Sequence, residues 1–193
     1  METLRNDFLG GLWHFPFDIF EAIFETSEDL MGDPDEVASR IRNALERENQ
    51  AYTFVGGRFV ERMTPQEVES VESALNTPIE AIRKHFETAI QMLSDRENPD
   101  FRNSIKESIS AVEAACKELT GLASATLGQA LNALHEKRPL HQNLKDALSK
   151  LYSWTSDHGG IRHAIKDAEN VERADAQFML VACSAFVNYL LTR

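Results

Sequence analysis

Between Phe101 and Leu119 the apolar residues Ile105, Ile109, Val112, Cys116 and Leu119 step by 4, 3, 4 and 3. Only an α-helix keeps such positions on one side, so this stretch predicts a helix of about five turns packed along a single seam, ended by Gly121. A helix of that kind cannot stand alone and needs partners, and the chain supplies them. Asp33-Pro34 opens a helix through Val37, Ile41 and Leu45, with Asn49 closing it. A short amphipathic segment with Phe17, Phe20, Ile23 and Phe24 follows Pro16. Thr64-Pro65 with Glu67 starts another helix, and the break at Asn76-Thr77-Pro78 opens one that places Ile79, Ile82, Phe86, Ile90 and Leu93 on one face. Downstream, Leu127, Leu131 and Leu134, then Leu140, Leu144, Leu148 and Leu151, mark two more. The final helix, from about Asn170 to Leu191, is apolar nearly all round and predicts a central element with Phe178, Val181, Cys183 and Phe186 buried.

One β signal interrupts the series. Tyr52-Thr53-Phe54-Val55, Gly56-Gly57 and Arg58-Phe59-Val60-Glu61 read as a hairpin near residues 52–61, because a two-residue Gly-Gly loop supplies the positive φ angles of a tight primed turn. The expected fold is therefore all-α, with one hairpin in a small N-terminal helical sub-domain. The stretch Ser94 to Asp100 lacks any apolar residue and coincides with a change of charge. Residues 1–97 carry 9 basic and 20 acidic side chains, whereas residues 98–193 carry 11 of each, so the formal charge of −11 belongs to the first half. That places the expected boundary at 95/96: a sub-domain of residues 1–95 and a helical bundle of residues 96–193.

Composition narrows the function classes. A charge of −11 argues against an indiscriminate polyphosphate-binding surface, although not against a local basic cleft in the neutral half. The two cysteines, Cys116 and Cys183, sit among apolar residues, as small buried hydrophobes do, and suit a reducing cytoplasm. The first twenty residues lack the pattern of a signal peptide, and the apolar run Phe178 to Leu191, about fourteen residues with Ser184 and Asn188 inside it, reads as too short and too polar to span a bilayer. Neither a phosphate loop, a nucleophile elbow, a Cys-x-x-Cys nor a His-Glu-x-x-His is present, so no cofactor or metal is expected. Trp13 and Trp154 read as core anchors, since no basic aromatic strip surrounds them.

Two polar constellations remain. The helix from Phe101 carries Arg102, Asn103, Lys106, Glu107, Ser110 and Glu113, most of them at 3–4 spacing, which makes one stripe. It is either a solvated face with Lys–Glu pairs or a groove of mixed charge. The segment Ser156-Asp157-His158-Gly159-Gly160-Ile161-Arg162-His163 is the other, a polar loop between apolar helices, read either as a glycine turn or as a site. Arg102, Lys106, Glu107, Asp157, Arg162 and His163 are expected to converge in one cleft.

The run Asn98-Pro99-Asp100-Phe101-Arg102-Asn103-Ser104-Ile105-Lys106-Glu107-Ser108-Ile109, continuing to Ala114, is followed by Thr126-Leu127-Gly128, by Gly160-Ile161-Arg162-His163 and by Phe178 through Phe186. Together these resemble the C-terminal domain of bacterial abortive-infection proteins across residues 96–193, and the first half is similar to the N-terminal domain that often precedes it. The resemblance implies a HEPN-like helical bundle, a homodimer, and a place in phage defence or a toxin–antitoxin system, with RNA, a nucleotide, an antitoxin or another defence protein as partner. HEPN ribonucleases place an Arg and a His on one helix face with four to six residues between them. None of the six histidines here has an Arg at that distance; Arg162 and His163 are adjacent, about 100° apart on a helix. Three readings follow. One is a binding module that is non-catalytic or weakly catalytic, using Arg102, Asn103, Lys106, Glu107, Ser110 and Asp157. The second is a metal-independent endoribonuclease with His163 as base and Arg162 as cation, and the third a structural or sensing subunit.

Overall fold

The computed structural model describes residues 10–26, 32–156 and 171–192. Among them the chain forms eight helices and one two-stranded antiparallel hairpin, an all-α fold with a single β element. It divides between Thr64 and Pro65 into two compact units.

The first unit holds α1 (Phe15–Thr26), α2 (Pro34–Arg47), β1 (Tyr52–Val55) and β2 (Arg58–Glu61). Asp33 caps α2 by accepting from the Asp35 N–H at 3.0 Å, and Pro34 occupies the first helical position. The helix stops where Asn49 takes φ 49°, a left-handed angle that asparagine tolerates better than most residues. The hairpin pairs Tyr52 with Glu61 and Phe54 with Phe59. Gly56 and Gly57 turn it with φ of 55° and 77°, the two positive angles of a primed turn. Phe54, Phe59 and Ala38 form its core, packed by Phe17, Phe20 and Phe24 from α1. Trp13 is no core anchor. It is 60% exposed and lies over the rim of this aromatic cluster, 6.3 Å from the Phe17 ring and 6.0 Å from Tyr52.

The second unit is a bundle of α3 (Pro65–Leu75), α4 (Glu80–Ser94), α5 (Phe101–Thr120), α6 (Leu127–Lys137), α7 (Gln142–Ser156) and α8 (Arg173–Thr192). The seam foreseen in α5 is its buried face: Ile105, Ile109, Val112 and Cys116 are buried, with Leu119 half-buried at the end. Gly121 closes the helix with φ 74°. Against that face lie Phe86, Ile90 and Leu93 of α4 on one side and Leu180, Cys183 and Val187 of α8 on the other. The buried Ser104 hydroxyl donates to the Ala89 carbonyl at 2.7 Å and ties α5 to α4. Thr126 and Gln129 form a reciprocal capping box that starts α6.

The unit boundary lies at Thr64/Pro65, whereas the charge change lies at residues 94–100. That polar stretch is an internal corner. Asp95 accepts from the N–H groups of Glu97 and Asn98 at 2.9 and 2.8 Å, and the two helices it joins pack on each other. Charge changed there because surface composition changed, while the core ran on.

The last helix is central but one-sided. Met179, Leu180, Cys183, Phe186, Val187 and Leu190 are buried, whereas Phe178 is 56% exposed and Val181 only half-buried. An apolar helix twenty residues long still has 360° of surface, and α3, α4 and α5 cover only part of it. Its twenty residues run beyond the fourteen-residue apolar stretch, so by length and composition α8 is the one described helix long and apolar enough to cross a membrane. In this structure its covered face meets protein. Trp154 on α7, like Trp13, is exposed at 46%.

Candidate polar site on helices α4 and α5

The polar stripe of α5 begins at its cap. Asp100 accepts from the Asn103 N–H at 3.0 Å through one oxygen and from the Asn103 side-chain amide at 2.6 Å through the other. Asn103 is therefore used locally, to fix the start of the helix. Arg102 beside it is half-buried and Lys106, one turn on, is exposed. The Ser110 hydroxyl donates to the Lys106 carbonyl at 2.9 Å.

Glu107 is the member of the stripe that reaches another element. One of its carboxylate oxygens lies 2.7 Å from Nδ1 of His85 on α4, with side-chain exposures of 20% and 37%. A carboxylate can only accept, so Nδ1 carries the hydrogen in this contact. Two to three turns further along α5, Glu113 and Lys117 pair at 2.7 Å in the i, i+4 arrangement. These two couples flank an open cleft of about 650 Å³ between the start of α4 and the second half of α5, with Ala81, Ala114 and Ala123 in its wall. Alanines there leave a furrow that larger side chains would close.

Of the expected binding residues, the structure places Arg102, Asn103, Lys106, Glu107 and Ser110 along α5, and Ser110 with Glu113 lines the cleft. Asp157, Arg162 and His163, the other half of the expected convergence, lie outside the described residues. His85 is the participant that sequence reasoning passed over. Its signal was faint but present: it sits between Ile82 and Phe86, at the polar edge of the buried face of α4, where a titratable side chain meets the neighbouring helix.

The remaining chemistry is limited by burial. Burial pushes the Cys183 thiol up to about 12, and burial together with the nearby Glu113 carboxylate does the same for Cys116. Neither is a thiolate near neutral pH, so neither serves as a nucleophile. Among the described residues no cluster of three or more His, Cys, Asp or Glu side chains is placed to hold a metal ion. What the α4–α5 cleft offers is recognition: an imidazole hydrogen-bonded to a carboxylate, a serine hydroxyl and the Glu113–Lys117 ion pair around an alanine-lined furrow. No protein-family model, curated protein or solved structure matches the chain.

Proposed function

We propose that this chain is a non-catalytic, HEPN-like binding module of a bacterial phage-defence system, of the abortive-infection or toxin–antitoxin kind, which holds a protein partner in the α4–α5 cleft and works as a cytoplasmic homodimer. The observation that carries the reading is charge balance on α5: Arg102, Lys106 and Lys117 stand against Glu107, Glu113 and Glu118. An alternating surface without net charge does not concentrate a polyanion, but it is complementary to a protein surface of the opposite alternation. The His85–Glu107 and Glu113–Lys117 couples hold the groups in fixed geometry, which favours recognition over proton transfer. The setting in phage defence comes from the resemblance of residues 96–193.

Two measurements test it. Purified protein incubated with total cellular RNA in EDTA leaves the RNA intact; cleavage that disappears in Arg162→Ala/His163→Ala overturns the reading in favour of the ribonuclease. A photo-crosslinking residue at position 117 captures one protein in phage-challenged cells, and one at the exposed position 87 does not. Equal capture at both positions, or none, removes the cleft as the partner site.

A further inference from the structure

Helix α7 turns Leu144, Leu148, Leu151 and Tyr152 to one side at i, i+4, i+7 and i+8, yet none of the four is buried. Comparable faces elsewhere in the bundle are closed, with Leu131 and Leu134 of α6 and Met179 and Leu180 of α8 no more than 2% exposed. The space beneath α7 explains the difference. A cavity of about 220 Å³ separates it from a floor made by Ile109 and Val112 of α5, Leu131 of α6, and Met179, Cys183 and Phe186 of α8.

Close-packed interiors hold few voids larger than a water molecule, and a water needs two to four polar partners. Among the described residues, the fourteen that line it include no charged side chain, and their hydroxyls are those of Ser149, Tyr152 and Ser153. Ser149 and Ser153, on the α7 side, already donate their hydroxyls to the carbonyls of Lys145 and Ser149, each at 2.9 Å. Their oxygen lone pairs still accept. Ser153 and Gly128 are exposed and mark the mouth.

We infer that this cavity between α5, α6, α7 and α8 is a binding site for a small neutral apolar molecule carrying at most one hydrogen-bond donor. The site is independent of the α4–α5 cleft. A cavity of ~150 Å³ in a helical core accommodates benzene, so this one scales to about nine non-hydrogen atoms, the size of indole or of an eight-carbon alcohol. A charged molecule would lose its hydration and meet no counter-charge among the described lining residues. The single N–H or O–H of the ligand is accepted by Ser149 or Ser153 near the mouth, and its apolar body supplies the contacts that the α7 leucines lack.

Titration of the full chain with indole and with 1-octanol tests the site, read by calorimetry and by the methionine methyl resonances. Saturable one-to-one binding is expected, with the Met179 methyl shifting while those of Met63 and Met92 stay in place, and with a rise in Tm. Gly128→Phe grows a side chain from a position where a Cβ meets nothing within 4 Å. Cys183→Leu fills the floor. Each is expected to weaken binding by about tenfold or more while leaving the ligand-free Tm at or above that of the unsubstituted protein. Absence of saturable binding, methyl shifts shared equally by Met63 and Met92, binding that survives both substitutions, or a large drop in ligand-free Tm in both would each overturn the proposal.

Discussion

Glu21 is a carboxylate only 4% exposed, and its surroundings show what makes that tolerable. It accepts from the Phe59 N–H at 2.7 Å and from the Arg58 guanidinium at 3.2 Å, while Arg58 also reaches Glu25. A buried charge is stable only when its oxygens are taken up in this way, and removing it strands a backbone donor and a partly buried cation. Glu21→Ala should therefore cost about 2–3 kcal/mol in denaturant unfolding, whereas Glu21→Gln, which keeps an acceptor for Phe59, should cost less. The two thiols behave differently. Well below pH 9 both the folded and the unfolded chain keep Cys116 and Cys183 protonated, so stability there is independent of them. Above the ordinary value of 9.0 the unfolded chain loses protons that the folded chain retains until about 12, so stability falls as pH rises through that window. The slope for each thiol approaches roughly 1 kcal/mol per pH unit in the middle of that window. Urea titrations between pH 8 and 11 should show it, and Cys116→Ala should roughly halve it.

At the scale of elements, the hairpin and the α4–α5 seam are the parts whose sequence most directly dictates form. Gly57 sits at φ 77°, and a Cβ there would also lie 3.5 Å from the Phe24 ring. Gly57→Ala should destabilise the first unit by about 1–2 kcal/mol, measured by thermal unfolding with near-ultraviolet dichroism of its aromatic cluster. Every helix anticipated from spacing is present, because an i, i+4, i+7 pattern has one good solution once a partner exists. Less legible was how completely each face would be covered. Nothing in the apolar surround of α8 says which side meets α5, so Phe178 groups with Cys183 and Phe186 until the packing separates them. Trp13 and Trp154 misled for the same reason: type predicts burial only on average. The α5 stripe was readable as a stripe, but His85 comes from another helix, and pairing across helices depends on crossing geometry that a linear pattern does not carry. Asp157, Arg162 and His163 fall outside the described residues.

For the molecule as a whole, the proposed dimer makes a definite demand on α8. Phe178 and Tyr189 lie on its outward side, 56% and 37% exposed. Light scattering should give twice the 21.8 kDa protomer mass, and Phe178→Glu with Tyr189→Glu should return the single mass. A concentration-independent mass of 21.8 kDa for the unsubstituted protein removes the dimer. The position of α8 in the chain has a consequence for synthesis. Its Asn188 side chain donates to the Ser70 carbonyl across 118 residues, and Arg173 donates to the Leu93 carbonyl across 80. During translation α3 through α7 leave the ribosome before the helix that fills their centre. The seam of Ile105, Ile109 and Val112 is then packed by α4 and α6 and bare where α8 is to lie. Such a nascent chain resembles a sticky half-bundle whose closure waits on contacts of high sequence separation, so it is an attractive client for holding chaperones until the last turn of α8 emerges.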